Sequence, residues 1–302
     1  MKIKALVFPM PLFLTMKMLY GRANRPTLTI QPKNLPIFVI QFVDLDIQRV
    51  IFEDLGVINY KSAWDYQELL VKKNLDIKAD ARKQLQALNL EHSAVSELHS
   101  TSGHQLSTFN RQPSTINHLL FCEHPPVYTL GKSGHIENVL LSELEMEEKE
   151  IEFFRTNRGG DITFHGLQQV VGYPILDLEK FYTDIGKYLR SLEEVIILTI
   201  AEYGIKGDRS RGETGVWIEP GITGRERKIC AMGIRCSRWI TMHGFALNVN
   251  TDLSYFNNII PCGIINKQVT SVEREVGHKV DYAEIKRKLA KNFEKVFNVE
   301  II

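Results

Sequence analysis

Four short stretches of this sequence carry residue types that do chemistry. Residues 259 to 264 read I-I-P-C-G-I, which sets Cys262 between Pro261 and Gly263. A thiol with a pKa of roughly 8.5 is mostly protonated at neutral pH and needs a nearby cation or base to act as a nucleophile. Lys228, in G-R-E-R-K-I-C-A-M-G-I-R-C, stands where a loop enters an apolar strand. A lysine partly withdrawn from water there can lose its proton more readily and serve as that base. The plainer reading is an exposed charge guarding a strand, and spacing alone does not put Lys228 beside Cys262. The third stretch is R-T-N-R-G-G-D-I-T-F-H-G, where Arg158 precedes Gly159 and Gly160. Such a turn can present backbone N–H groups to an anion or a thioester carbonyl. It can equally be a hairpin turn with a surface arginine. The fourth is T-M-H-G-F-A-L-N-V-N, where His243 is either a working group or a strand-end histidine satisfied by hydrogen bonds. Asn248 and Asn250 read as turn or strand-edge residues. Cys230 and Cys236 alternate with apolar neighbours and read as strand filler.

These groups need a scaffold. N-H-L-L-F-C-E and V-V-G-Y-P-I-L-D-L read as buried strands, and T-G-V-W-I, K-I-C-A-M-G-I-R-C and M-H-G-F-A-L-N-V-N as three more with short connections. Residues 60 to 86 suit an amphipathic helix. Ile185, Tyr188, Leu189, Leu192, Ile196, Ile200 and Tyr203 recur at helical spacing, with Asp184 as N-cap and Gly204 as stop. Asp281 and Glu284 open a last helix striped by Ile285, Leu289 and Phe293. The acidic run S-E-L-E-M-E-E-K-E reads as a solvated face. Residues 90 to 115, rich in Ser, Thr, His and Gln, read as a polar loop insertion. Its histidines, His92, His99 and His104, with His118 just beyond, match no metal-ligand spacing. The expected fold class is α+β (α/β): a mixed β-sheet flanked by helices.

The chain has 302 residues, 44% hydrophobic and 24% charged, with a net charge of +1. That is an ordinary soluble composition, with no global field for nucleic acid or an anionic membrane. Four scattered cysteines without a C-x-x-C pair suggest thiols in a reducing cytoplasm rather than a disulfide scaffold or a zinc ribbon. The first 43 residues hold no acid. Residues 1–37 read as a weak targeting segment, a disordered extension, or a start assigned too early, and we expect one of the last two. Residues 38–302 then form the catalytic domain.

Taken in order, R-G-G-D-I-T-F-H-G, V-G-Y-P-I-L-D-L, T-G-V-W-I, K-I-C-A-M-G-I-R and H-G-F-A-L-N-V-N-T-D-L-S-Y-F-N-N-I-I-P-C-G-I closely resemble the octanoyltransferase (lipoyl(octanoyl) transferase) family. That family shares its fold with lipoate and biotin protein ligases. The resemblance runs from about Leu119 to Val272. It implies a biotin/lipoate ligase-like catalytic fold and an acyltransferase that needs no cofactor and no metal. The acyl group would arrive on the phosphopantetheine of acyl carrier protein and form a thioester on Cys262, the family's P-C-G cysteine. Lys228, in the family's K-I-x-x-x-G motif, would activate it. The acceptors would be lysines on lipoyl domains of 2-oxoacid dehydrogenase subunits and of the glycine cleavage carrier protein.

By the same resemblance, acyl binding falls on Arg158, Gly159, Gly160, Asp161, Ile162, Thr163, Phe164 and His165, on Ala231, Met232 and Gly233, and on Gly244, Phe245 and Ala246. The family usually reads H-G-P-G-Q after the R-G-G turn. This chain has His165-Gly166-Leu167-Gln168-Gln169, which puts the pocket geometry there in question but not the nucleophile. Between Lys206 and Arg238, eight Lys or Arg stand against four acids, which suits docking of acidic carrier domains or simply two solvated loops. Two other functions compete. An ATP-dependent lipoate ligase would not need Cys262, and no adenylate-type Gly/Arg-rich loop is visible. A non-catalytic acyl-carrier-binding protein would not need both Cys262 and Lys228. An amidotransferase drawing its acyl group from another lipoyl domain is a close variant of the first reading.

Overall fold

The computed structural model describes residues 47–95, 114–260 and 268–302, with side chains of 88–95 left aside. The chain order is β1 (Gln48–Val57), α1 (Tyr60–Val95), β2 (Asn117–Glu123), β3 (Val127–Leu130), α2 (Glu143–Glu148), β4 (Glu152–Arg155), β5 (Ile162–His165) and β6 (Gln169–Ile175). It continues with α3 (Ile185–Ala201), β7 (Gly207–Arg209), β8 (Val216–Ile218), β9 (Arg227–Ser237), β10 (Ile240–Asn248), β11 (Gln268–Val269), α4 (Val272–Val276), α5 (Tyr282–Phe297) and β12 (Val299–Ile301). Among the described residues the strands form two sheets. The large one runs β12-β1-β2-β6-β10-β9-β8-β7, with β11 added beside β9. The small one runs β4-β3-β5. This is the mixed sheet with flanking helices expected from the sequence.

Each face of the large sheet is covered because its strands are apolar on both sides. On one face α3 and α5 pack against Val50, Phe121, Met232 and Leu247, burying Tyr188, Leu192, Ile196, Leu289 and Phe293 almost completely. Each such side chain contributes about 1.5–3 kcal/mol through burial. On the other face α1 lays Ala63, Leu70 and Val71 on Leu120, Tyr173, Met242 and Ala246. Its hold is also polar. Asn74 bonds both the N–H and the C=O of Ile116 at 2.8 Å, and Lys78 donates to the buried Asp177 at 2.6 Å.

The helix caps follow the sequence. Asp184 accepts from the Lys187 N–H, Asp281 accepts from the N–H groups of Ala283 and Glu284, and Gly204 turns the chain at φ +75°. The acidic run is the solvated face expected, with Ser142 and Glu145 closing a capping box that starts α2 and Met146 buried beneath it. One expectation needs correction. The polar stretch does not begin at residue 90, because α1 continues to Val95; residues 96–113 lie outside the described part. His118, just beyond that stretch, lies in the strand expected there. It is buried in β2, with Nδ1 3.2 Å from Glu53. Residues 1–46 are outside the described part. No described helix is long and apolar enough to cross a membrane.

The departure at Leu167-Gln168 has a clear local form. Gln168 sits at φ +60°, the left-handed conformation that glycine adopts freely and where the family carries glycine. Tertiary bonds hold it there. Its N–H donates to Glu123 at 2.6 Å, and its C=O accepts from the N–H of Asn250 and the hydroxyl of Thr251. Strain at such a site costs about 1–3 kcal/mol, and a β-branched residue suffers most. We expect Gln168→Val to lower the unfolding free energy by about 1–3 kcal/mol. Gln168→Gly should stay within about 1 kcal/mol of wild type, since relieved strain offsets added chain entropy. Urea unfolding measures both, and a Val variant as stable as wild type contradicts the assigned backbone.

Candidate active site

Register places the candidate residues. In the β9–β10 hairpin Ala246 faces Ala231 and Gly244 faces Gly233, while Val171 of β6 stands on the other side of Ala246. Alternation sends these small residues to one face, so they form a shallow floor two rows deep. The small sheet stands opposite. The turn at 158–160 rests directly on β9, where the Gly159 N–H donates to the Ile234 C=O at 2.9 Å. Gly233 permits this approach, since a Cβ there would meet Gly159 O at 2.5 Å. Between the two sheets lies a cavity of about 830 Å3, counting its open mouth.

That cavity gathers the segments singled out in the sequence. Arg158, Gly160, Asp161, Ile162, Thr163 and His165 line it from the small sheet. Lys228, Ala231, Met232, Gly233, Gly244, Phe245 and Ala246 line it from β9 and β10, and His243 does too. Gly159 supports the turn from behind. Phe164 is not among the lining residues; its ring stacks on Tyr255 with ring centroids 4.6 Å apart. Cys262 lies outside the described residues. The chain leaves them at Ile260 and returns at Gln268, where Val269 pairs with Lys228.

Arg158 is a structural pin rather than a surface group. It is buried, and its guanidinium donates to the carbonyls of Gly159, Thr129 and Asp161 and to the Thr129 hydroxyl. Hydrogen bonds from a charged donor contribute about 1.5–3 kcal/mol each, so these lock the turn. Lys228 is half-buried, with Nζ 4.5 Å above the Trp217 ring. Its backbone C=O accepts from the Thr270 N–H at 2.9 Å.

Several lining residues escaped the sequence reading: Tyr60, Gln169, Val171, Tyr173, Thr214, Asn248, Phe256 and Val269. Some form a continuous polar chain. His165 Nδ1 donates to Gln169 Oε1 at 2.9 Å, Gln169 Nε2 donates to Asn248 Oδ1 at 2.9 Å, and Asn248 Nδ2 donates to Thr270 O at 2.9 Å. Asn248 is therefore a site-bracing residue, not a turn residue. His124, also missed, lies beside this wall; the Tyr173 hydroxyl donates to its Nε2 at 2.8 Å, and its Nδ1 donates to Ile58 O at 2.7 Å. Tyr60 stacks on His165 at 5.9 Å, and burial pushes its hydroxyl up to about 12, so it stays neutral.

His243 has φ +59°. With its proton on Nε2 it donates to Asn157 Oδ1 at 2.7 Å, while Nδ1 has no hydrogen-bond partner among the described residues. The described cysteines are poor nucleophiles: burial pushes the thiols of Cys122, Cys230 and Cys236 up. Among the described residues, no group of three His, Cys, Asp or Glu is placed to hold a metal ion. Much of the basic stretch is already engaged, because Arg209 pairs with Glu193 and Glu194, Arg227 with Glu219 and Glu275, and Arg235 with Glu68.

The fold is that of a ligase-like catalytic domain. The lipoate protein ligase of Thermoplasma acidophilum, described with its E2 lipoyl domain, superposes with a TM-score of 0.55 at 14% identity, over 84% of this chain and 86% of that one. A Plasmodium falciparum LipL1 structure in complex with lipoate gives 0.51 at 14% identity, over 83% and 60%. Both show a shared lipoate ligase-like fold. In sequence, the lipoyl protein ligase A/B catalytic domain matches residues 59–294. An octanoyltransferase of Flavobacterium psychrophilum is 54% identical over 84% of this chain and 99% of its own length. One from Christiangramia forsetii is 51% identical over 84% and 98%. The chain belongs to the lipoyl protein ligase A/B catalytic domain family, among its octanoyltransferases, and is an acyltransferase enzyme.

The buried histidines give a pH prediction. Burial is the first cause in each case, holding His124 down to about 4, His243 to about 3 and His165 well below its ordinary value. The unfolded chain therefore takes up protons near pH 6.5 that the native chain refuses. Their contribution to stability is full above about pH 6.5 and is lost as pH falls toward 4. The slope is about 1.4 kcal/mol per pH unit for each histidine. Urea midpoints measured from pH 7.5 to 4.5 should fall steeply below pH 6. A flat profile contradicts three buried neutral histidines.

Proposed function

We propose that this enzyme transfers octanoyl from the pantetheine thiol of acyl carrier protein to a lysine of a lipoyl domain, through a thioester on Cys262. The observation that carries the reading is the cavity itself. Its floor of Ala231, Gly233, Gly244 and Ala246 leaves room for a linear acyl chain, and Lys228 stands on its rim beside the strand that returns from the Cys262 segment. Burying seven methylene or methyl groups contributes on the order of 5 kcal/mol, enough to select an eight-carbon chain over a short one. The named relatives at 54% and 51% identity support octanoyl as the cargo. The T. acidophilum ligase described with its E2 lipoyl domain supports the acceptor class.

In the first step Lys228 takes the Cys262 proton, and the thiolate attacks the donor's thioester carbonyl. The new C–S bond replaces the old one, and the departing pantetheine thiolate takes the proton back from Lys228. This exchange is nearly balanced. In the second step the acceptor lysine, as a neutral amine, attacks the acyl-enzyme. A C–N bond forms, the C–Sγ bond breaks, and Lys228 passes the amine's proton to the Cys262 sulfur. An amide replaces a thioester, so the step runs downhill without ATP. The proposal includes no cofactor beyond the pantetheine arm, and a cytoplasmic location in which the thiol stays reduced.

Intact-protein mass spectrometry after brief mixing with octanoyl-acyl carrier protein, without ATP, tests this reading. Wild type should gain a hydroxylamine-labile octanoyl group that Cys262→Ala lacks, and a lipoyl domain should discharge it. Lys228→Ala should slow its formation by about 10²–10⁴-fold. Octanoylation only with ATP and free octanoate would establish the ligase chemistry instead. Ala246→Leu should cut octanoyl loading by more than about tenfold while sparing a butanoyl donor, since it fills the trough with about three carbons. Equal losses for both donors contradict the acyl chain's place on this floor.

A further inference from the structure

The floor of the cavity changes in size along one cross-strand row. Ala231 of β9 faces Ala246 of β10, Ala246 faces Val171 of β6, and Val171 faces Cys122 of β2. Directly paired residues share a face of the sheet. Two methyl side chains therefore form a trough, and Val171, the first branched side chain in the row, rises at its end. Ala231, Ala246 and Val171 line the cavity, whereas Cys122 is not among its lining residues. Exposure gives the trough a direction. At the β9 end Ala231, Gly233, Thr163 and Thr214 are half-buried and Gly160 is exposed. At the β6 end Val171 is 1% exposed; Tyr173, on the same strand and face, is buried, and so are the cavity-lining rings of Tyr60 and His165. These rings hold one another. Tyr60 stacks on His165 at 5.9 Å, His124 meets both edge-on at 5.3 and 5.8 Å, and the Tyr173 hydroxyl donates to His124 Nε2 at 2.8 Å.

We propose that Val171 sets acyl chain length: its isopropyl group stops the methyl end of an eight-carbon chain whose carbonyl lies at the β9 end. This rests on the octanoyl chain occupying this cavity. The direction follows from exposure, because the carbonyl must meet a donor and an acceptor that arrive from outside, which leaves the tail for the closed end. The length follows from the sheet. From β9 across β10 to β6 is two strand spacings, about 9–10 Å. An octanoyl chain has seven carbon–carbon bonds and spans roughly 8 Å when extended, at roughly 3.3–3.6 Å for every three bonds. Two further carbons add roughly 2 Å and drive the tail into Val171. Behind it stands Cys122, buried, with Sγ 3.5 Å from His124 Nε2. A close-packed interior does not open such a space without cost. The flanking rows offer no way around. On one side Gln169 and Asn248 are paired and bonded to each other at 2.9 Å. On the other side Tyr173 rises from β6 two residues along from Val171.

The test uses the full-length enzyme as wild type, V171A, V171I and V170A. Val170 is the control, because it is buried in the core on the opposite face, with α3 and α5. Hexanoyl, octanoyl and decanoyl groups are supplied on acyl carrier protein, and kcat/KM for transfer to a lipoyl domain is read from the intact mass of that domain. Wild type should favour octanoyl over decanoyl by at least about tenfold. V171A, which lengthens the trough, should raise the decanoyl-to-octanoyl ratio by about tenfold or more. V171I, which shortens it, should lower octanoyl relative to hexanoyl by about tenfold. V170A loses the same two carbons from the core and should leave both ratios at their wild-type values. Should V171A fail to fold, V171I decides. A folded V171A or V171I that transfers octanoyl with wild-type ratios overturns the role of Val171 and leaves the octanoyl reading standing. A wild type that transfers decanoyl as fast as octanoyl also overturns it. A wild type that transfers none of the three groups removes the reading on which the role depends, and the role with it.

Discussion

The cavity exists because the turn at 158–160 touches β9 with its backbone. The Gly159 N–H bonds the Ile234 carbonyl, and Gly233 leaves the space that any side chain would close. Arg158 then ties the turn to Thr129 and Asp161, so the small sheet and its turn behave as one rigid wall. Lining residues on both sides inherit their positions from that single contact. Substitution of Gly233 would move the wall, not merely crowd the site.

A second consequence concerns polarity. Three histidines around the cavity, His165 in the small sheet, His124 beside it and His243 in β10, are buried and neutral, and their hydrogen bonds go to protein groups. Neutral imidazoles brace the site without adding charge to a space suited to an apolar chain. Lys228 also lines the cavity, with its Nζ above the Trp217 ring.

The sequence made much of this legible, for local reasons. Capped, striped helices announce themselves, and α3 and α5 lie where Asp184, Gly204 and Asp281 indicate. The strand segments around Arg158, Lys228 and Gly244 were also legible, because alternation and glycine mark strands and tight turns. What could not be read was register across distant strands. Tyr60 reaches the site only because α1 crosses the sheet, and Gln169, Tyr173 and Asn248 only because β6 lies beside β10. No local pattern encodes those neighbours. In the basic stretch from Lys206 to Arg238, composition counts charges, while the fold pairs several of them with acids.

The most direct test of the central claim is a crystal structure of the enzyme acylated by octanoyl-acyl carrier protein. The account predicts an octanoyl thioester on Cys262, its chain lying over Ala231, Gly233, Gly244 and Ala246, with Lys228 Nζ within hydrogen-bond reach, about 3 Å, of the sulfur. A chain lodged outside this cavity, or a lysine too far to exchange a proton with the thiol, would contradict it.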